Sequence, residues 1–404
     1  MSLVNGHKIK QSACFNLEWL LNSKNVDKFF DEFWECQPLY IEAQHSSYFN
    51  DFYRFVDIET SIFNLDILQG DFSLFFDQKR VKDVSRYFDS ENNLSGNKVK
   101  NACIDDGCTI CIENIEKVNS AVQNLCNELS DIFLSGITTA LFFGPPHSVG
   151  LNVHFDYYNA FILQLSGKKR WRVYSSVFDN PTCERDRFKV DKSTLGAPII
   201  DIELQQGDIL YIPRGCPHEP YCIDSHSLHL TVGIKTHCWA DILHQSIEVL
   251  RDTESSFRQS LPPNDLLDSK AVDIKLIWDK LIGRMSDANV LDDTLWNLRE
   301  LHYLKKSKLP RQTMNDPKRF PITLDSLLYR SSKLKPLVRT MDELTEIVVE
   351  GEKLTGPSYL AGALGFISNN RAFKLRDISS SINDNTKLKL GIKLVHCGLV
   401  NVIE

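Results

Sequence analysis

The stretch VHFDYYNAFILQLSGKKRWRVY, Val153 to Tyr174, decides the fold. It opens on alternating polar and apolar residues and then runs apolar from Phe161 to Leu165. It turns at Ser166-Gly167 and resumes as a second strand carrying Trp171 and Val173. Further on, GDILYIPRGCPHEPYC, Gly207 to Cys222, repeats the sequence of turn, strand and turn. Both strings belong to a β-domain with polar residues gathered at its strand ends.

His154 and Asp156 stand two apart, a spacing that on a strand places both side chains on one face. An imidazole nitrogen and a carboxylate oxygen then converge on one ion. His218 follows 62 residues after Asp156, behind the strand DILYIP. Two His and one carboxylate on one side of a metal leave its other side open, as in the facial triad of non-haem Fe(II) oxygenases. An isolated HxD tripeptide is common on protein surfaces, so the strands and turns around it give it its weight. His229, in SLHLTVGI, competes for the third position because it also lies on a strand.

Taken in order, HxD, QLxGxKxW, GDxLYxPRGxxH and SLHLT resemble the JmjC-type cupin oxygenases, most nearly the ribosomal-oxygenase-like protein hydroxylases. The resemblance is strong over residues 142 to 234 and weaker over most of the remaining chain. It implies a mainly β fold with helices: a double-stranded β-helix of the cupin or jelly-roll kind, then a helical dimerisation region, then a winged-helix-like C-terminal domain. It implies Fe(II), the co-substrate 2-oxoglutarate and dioxygen, and it gives the third ligand position to His218. His229 then becomes a core histidine or one that orients a ligand.

Lys169, fifteen residues after His154, matches the family's cation for the second carboxylate of 2-oxoglutarate, while Lys168 and Arg170 alternate to the other face. The implied activity is hydroxylation of an amino-acid side chain in a protein or peptide, a ribosomal protein above all. The other readings are a biosynthetic peptide or free amino acid as substrate, and a non-catalytic nucleic-acid-binding protein that keeps the barrel as a scaffold.

Four positions depart from the family. Ala140 and Phe142 stand where an Asn-x-Tyr pair is frequent, and Gly233 where the closing strand often has Ser. Tyr157 also stands where Asp is common. Thr138, Thr139, Asn152, Tyr157 and Asn159 are the local candidates to replace the missing polar groups. His147 and His226 are expected as solvated loop residues.

The 404 residues, 42% apolar and 25% charged, suit a globular protein of two or three domains. No run approaches the roughly 20 apolar residues of a membrane span, and MSLVNGHKIKQSACF lacks a signal-peptide core. The expected location is cytoplasmic, or nuclear or nucleolar in a eukaryote. Of eleven cysteines, Cys108 and Cys111 form a single CxxC in a strand, so buried free thiols are expected and no zinc site.

The domains are drawn at 1–238, 239–305 and 306–404. The first opens on two helices, FNLEWLLNS and VDKFFDEFWEC, the second capped at Asn22 or Ser23; Phe29, Phe30, Phe33 and Trp34 belong to its core. The loop from Asp179 to Leu195 is expected to flank the site mouth. Helices WADILHQSIEVLRDTESSFRQSL, VDIKLIWDKLIGRM and DTLWNLRELHYLKK come after the barrel and imply a homodimer. Residues 301–404 hold 17 Lys+Arg against 10 Asp+Glu, and the rest of the chain 29 against 43. A helix around Asn383–His396 carries Lys387, Lys389 and Lys393, of which only the last two share a face, too few for sequence-specific DNA binding.

Overall fold

In the first unit, alternation along each strand sorts side chains between an inner and an outer core. The structure is a computed structural model that describes residues 15–22, 25–52, 69–182, 190–260, 272–306, 321–330, 334–378 and 381–403. It divides into two compact units, Met1–His237 and Cys238–Glu404.

The strands of the first unit are β1 (Leu39–Ile41), β2 (Phe72–Phe76), β3 (Lys79–Arg80), β4 (Thr109–Glu113), β5 (Ile137–Gly144) and β6 (Asn159–Gly167). They continue with β7 (Lys169–Val173), β8 (Ile200–Leu204), β9 (Ile209–Ile212), β10 (His218–Tyr221) and β11 (Ser227–Ile234). Eight form one sheet in the order β1-β9-β6-β11-β5-β4-β2-β3, and β10-β7-β8 form the second. All these pairings are antiparallel.

The sheets share an interior. Ala160 and Ile162 of β6 and Leu210 and Ile212 of β9 pack with Trp171 and Val173 of β7 and Leu204 of β8. The alternate residues, Phe161, Leu163, Ile209 and Tyr211, face the other way into a larger core. Thus β6 and β11 are buried on both faces, and their near-continuous apolar reading is a consequence of that.

Two details differ from the sequence reading. Ser166 and Gly167 are not a turn but the end of β6; only Lys168 separates them from β7, and the two strands enter different sheets, so the chain turns the corner of the barrel there. Gly167 has φ +64°, and a Cβ on it would lie 1.9 Å from the His226 carbonyl oxygen, which leaves no room for any other residue. Nor do His154 and Asp156 lie on a strand. Residues 155–158 are loop, and His154 makes only an isolated bridge with His218.

The outer core is closed by the N-terminal segment and by the helix Ser120–Phe133. Asn119 caps that helix, its side chain accepting from the N–H groups of Ala121 and Val122 at 3.0 Å each. Val122, Leu125 and Leu129 are fully buried there, each stabilising the fold by about 1.5–3 kcal/mol. The helix Val26–Glu32 is capped by Asn25, not by Asn22 or Ser23; Asn22 instead takes a left-handed φ of 51° after the first short helix, and Ser23 lies outside the described residues. Phe29 sits edge-on to Tyr211 at 5.0 Å, and Trp34 stacks on Phe133 at 4.7 Å. Phe30, by contrast, is exposed.

In the second unit, helices Trp239–Thr253 and Ala288–Lys305 meet at Val249, Leu250 and Val290, with Ser246 and Thr294 hydroxyls 3.0 Å apart. Strand Leu327–Arg330 pairs with Ala372–Lys374 and Val400–Ile403. A three-stranded meander, Leu337–Met341, Leu344–Val349 and Glu352–Pro357, completes it. Leu328, Ile347, Leu364, Phe373 and Leu394 share one core. No helix of the described residues is long and apolar enough to cross a membrane. Cys108 and Cys111 are buried free thiols, as are Cys103, Cys126, Cys216 and Cys222, whereas Cys36 is exposed.

Candidate active site

His154 and His218 are held together by their own backbones. The His218 N–H donates to the His154 carbonyl at 2.8 Å, and the His154 N–H returns the bond at 3.2 Å. The imidazole centroids lie 4.4 Å apart. Asp156, in the loop before β6, is fixed by the Gly215 N–H on its carbonyl oxygen at 2.9 Å. Its two carboxylate oxygens face the two rings, one 4.0 Å from His154 Nε2 and the other 3.6 Å from His218 Nε2. One donor atom from each residue falls within 4.8 Å of the others, the one such group of three His, Cys, Asp or Glu among the described residues.

The remote ring nitrogens decide what the near ones can do. His154 Nδ1 lies 2.7 Å from the Asn152 carbonyl oxygen, and His218 Nδ1 lies 3.1 Å from that of Cys216. A carbonyl only accepts, so each Nδ1 carries a proton and each Nε2 is the nitrogen that faces Asp156. Two imidazole nitrogens and one carboxylate make a set of borderline donors that suits a divalent transition metal.

Behind this triad, β7 turns Lys169, Trp171 and Val173 inward and Arg170 and Arg172 outward. Arg170 and Arg172 pair with Asp201 at 2.6 and 3.3 Å, and Lys168 with Glu203 at 3.7 Å. The Lys169 ammonium is buried 5.9 Å from the Trp171 ring centroid, and no acceptor among the described residues meets it. Burial pushes its pKa down from 10.5, partly opposed by the neighbouring thiols of Cys222 and Cys111.

His229, on the inner face of β11, stacks on Phe142 at 5.0 Å and meets Trp171 edge-on at 5.4 Å. Burial, and then the charge of Lys169, hold it well below 6.5, so it is a neutral imidazole. It is not among the three converging residues. His229 Nδ1, Trp171 Nε1 and Gln164 Oε1 are buried here without hydrogen-bond partners. A cation and two unpartnered ring nitrogens, Trp171 Nε1 and His229 Nδ1, inside one apolar barrel mark a place for a polar, anionic molecule, while Gln164 Oε1 offers it only an acceptor.

A cavity of about 610 Å³ opens beside His154. Ala140, Phe142, Tyr157 and Gly233, the four departures from the family pattern, all line it, as do Thr138, Thr139 and Asn152. A Cβ at Gly233 would lie 2.7 Å from Thr138 Oγ1 and 2.8 Å from the Tyr158 ring, so Tyr158 fills the space a serine would need. Asn159 does not line the cavity; it is fully buried in a polar network with Glu35, Tyr211 and Arg214. His147 is exposed, but His226 is half-buried, its Nε2 3.1 Å from Ser166 Oγ. Of the loop expected at the site mouth, residues 183–189 lie outside the described residues, and Val190 and Lys192 line a second cavity beside Leu151–Val153.

Reasoning from sequence passed over Glu35. Its carboxylate oxygen accepts from Asn159 Nδ2 at 3.1 Å and from Thr236 Oγ1 at 3.2 Å, and lies 2.9 Å from Arg214 Nε. Its N–H donates to the Tyr211 hydroxyl at 3.0 Å, which donates to Asn159 Oδ1 at 3.0 Å. The Arg214 N–H donates to the same Asn159 oxygen at 3.3 Å. A Glu directly after the Trp of an aromatic run and a lone Arg closing an apolar strand were the signal.

Comparison with known proteins bears on this geometry. Residues 115–242 match the JmjC domain. Over that stretch the chain reads as a JmjC domain. Its sequence relatives include ribosomal oxygenase 1 of Danio rerio, 28% identical over 280 residues, which cover 65% of this chain and 48% of that protein. They also include the bifunctional lysine-specific demethylase and histidyl-hydroxylase NO66 of Drosophila yakuba, 29% identical over 220 residues, 54% of this chain and 32% of that one. The chain thus spans about half the length, or less, of these relatives.

In fold, the chain that carries this JmjC domain is similar to the Escherichia coli ribosomal oxygenase YcfD. A crystal structure of YcfD aligns with TM-score 0.54 and 19% identity over 94% of this chain and 98% of that one. A second YcfD structure, in complex with cobalt and 2-oxoglutarate, aligns with TM-score 0.55 and 18% identity over 95% and 99%.

Proposed function

We propose that this chain is an Fe(II)- and 2-oxoglutarate-dependent oxygenase that hydroxylates an amino-acid side chain of a protein or peptide. A ribosomal protein is the proposed target, by likeness to relatives named ribosomal oxygenases. The single observation that carries the reading is the convergence of His154, Asp156 and His218 in front of a buried Lys169 that meets no acceptor among the described residues.

The donor set fits the metal. His154 and His218 would hold it through Nε2, and Asp156 would supply one negative charge against two positive ones. The interior fits the co-substrate. Lys169 would receive its distal carboxylate in a charge-assisted bond contributing about 1.5–3 kcal/mol to binding, with Trp171 Nε1 or His229 as the next donor. Bound there, Fe(II) with 2-oxoglutarate and dioxygen supplies the oxidising power that turns a C–H bond into C–OH, succinate and carbon dioxide leaving.

The chain's own part is placement. The Asn152 and Cys216 carbonyls fix the imidazole tautomers, and Gly215 fixes the Asp156 loop. Ile162, Leu210 and Ile212 keep water from the back of the site. The cavity beside His154 admits the target side chain over Ala140 and Phe142.

The reading extends to the second unit as a homodimer built on the helical region 239–305, with a winged-helix-like domain over 306–404. Exposed Trp239, Leu243, Leu276 and Trp278 support the dimer as an apolar surface that a second copy would cover. The order of helix Ala361–Asn369, helix Asp384–His396 and strand Val400–Ile403 supports the winged helix. This domain is not proposed to read DNA. Lys387 is buried, its Nζ donating to the Arg376 carbonyl at 3.2 Å, so it offers no charge to a phosphate.

The test is incubation of the full chain with Fe(II), 2-oxoglutarate, dioxygen and ribosomal proteins, then mass spectrometry. The expected outcome is one added oxygen atom on one residue, with matching succinate, absent in His218→Ala. Neither product from the wild-type chain, with metal and co-substrate shown to be bound, would overturn the activity.

A further inference from the structure

We propose that Glu35 is a positioning residue of the metal centre: it ties the segment that carries Asp156 to the segment that carries His218. The proposal rests on reading His154, Asp156 and His218 as metal ligands. It concerns a residue more than a hundred positions earlier in the chain, on no strand of the barrel.

The two ligand segments already meet through backbone bonds, His154 with His218 and Asp156 with Gly215, and a side-chain tie would brace the residues that flank those bonds. Asp156 lies in a loop between His154 and Asn159, the first residue of β6. His218 opens β10, and the turn before it, Pro213 to Pro217, connects β9 to β10 across the two sheets. Within that turn Gly215 holds the Asp156 carbonyl oxygen and Cys216 holds His218 Nδ1. Arg214 stands immediately before both. Whatever fixes Asn159 and Arg214 therefore adds to those backbone bonds in setting the approach of Asp156 to His218.

Glu35 meets both. One oxygen, Oε1, takes Asn159 Nδ2 at 3.1 Å and stands 2.9 Å from Arg214 Nε, and Thr236, just past β11, adds a third segment at 3.2 Å. The Glu35 N–H closes a circuit through the Tyr211 hydroxyl to Asn159 Oδ1, where the Arg214 N–H also ends. The Arg214 contact is an ion pair by distance, since Arg214 Nε makes no hydrogen bond. Asn159 and Tyr211 are fully buried, which strengthens the hydrogen bonds they make and makes each costly to leave unmade.

Glu35 reaches this place with φ +55°, a conformation that L side chains rarely adopt. It is the N–H bond to Tyr211 that this conformation delivers. Strain kept where a network needs it is an arrangement found at functional sites.

The experiment is a Co(II) titration of the full chain without oxygen, read by the visible absorption of the bound ion. The proteins are wild type, Glu35→Ala, Glu35→Gln and, as a reference for a lost ligand, His218→Ala. Glu35→Ala should bind Co(II) roughly 10–100-fold more weakly, the range typical for removing a partner that orients ligands, and with a changed absorption envelope. Glu35→Gln keeps an acceptor for Asn159 and Thr236 but not the charge facing Arg214, so it should fall between wild type and Glu35→Ala.

Wild-type affinity and spectrum in Glu35→Ala, with His218→Ala defective, would overturn the proposal while leaving the metal centre standing, whatever happens to the melting temperature. If Glu35→Ala does not fold, Glu35→Gln decides by the same criterion: weakened binding supports the proposal and unchanged binding overturns it. Full Co(II) binding in His218→Ala would remove the metal centre itself and the proposal with it.

Discussion

Lys169 carries a charge into the barrel, and no acceptor among the described residues meets it. Burial lowers its pKa, so the folded state binds the proton less well than the unfolded chain does. The destabilisation is fully present below the folded pKa and fades as pH rises toward 10.5, the unfolded value. Lys169→Met should therefore stabilise the ligand-free protein at pH 7, on the order of 1 kcal/mol or more. The gain should shrink in alkaline buffer. The same variant should lose the upward shift in melting temperature that 2-oxoglutarate gives the metal-loaded wild type, while still binding Co(II). Scanning calorimetry at pH 7 and pH 10, with and without co-substrate, checks all three; a destabilised apo variant would mean that Lys169 has a protein partner after all.

Elements set where these residues stand, and the turns among them are less tolerant than the strands. Gly215 has φ +82°, and a Cβ there would lie 2.1 Å from the Phe178 carbonyl oxygen. Gly215→Ala should cost more than about 1 kcal/mol of stability and, by moving the N–H that holds Asp156, weaken Co(II) binding without touching a ligand. Equal metal affinity in this variant would show that the turn is not part of the site's support.

The strands themselves were legible, because the mainly apolar run AFILQL, the apolar run ILYI bounded by turn residues, and the period-two alternation of KRWRV are all set by the local chain. So were Lys169 and its outward neighbours, which obey the same alternation along one strand. What stayed hidden depends on distant pairing. That β6 and β7 part into different sheets is decided by β9, β10 and β11. Asn159 reads as a cavity residue from its nearness to Asp156, yet Glu35 and Tyr211 draw it away. Such a partner leaves no periodic trace.

At the scale of the whole molecule, each unit shows its own economy of apolar surface. The first buries its large residues in two cores, inside and outside the barrel. The second leaves Trp239 83% exposed and Trp278 62% exposed on its helices. Isolated apolar residues are ordinary on surfaces, but tryptophans at such exposure suit an interface. Sedimentation at micromolar concentration should give a species of about twice the 46.3 kDa chain mass. Trp239→Glu combined with Trp278→Glu should return it to the mass of one chain. A wild-type protein that sediments as a single chain would remove the homodimer from the proposal.

The pairing of β1 with β9 brings Leu39 beside Tyr211, and β5 is completed only by β11, which ends at Ile234. During synthesis the first strand therefore waits for a partner about 170 residues behind it, a delay on the order of ten seconds or more at ordinary rates of translation. Through that interval Phe29, Trp34 and the bare edge of β1 have no barrel to cover them, and they are the surfaces a chaperone would meet. His154 and Asp156 leave the ribosome well before His218, so on the proposed ligand set the three cannot converge on an ion until β10 has paired with β7, and metal loading would belong to the finished chain.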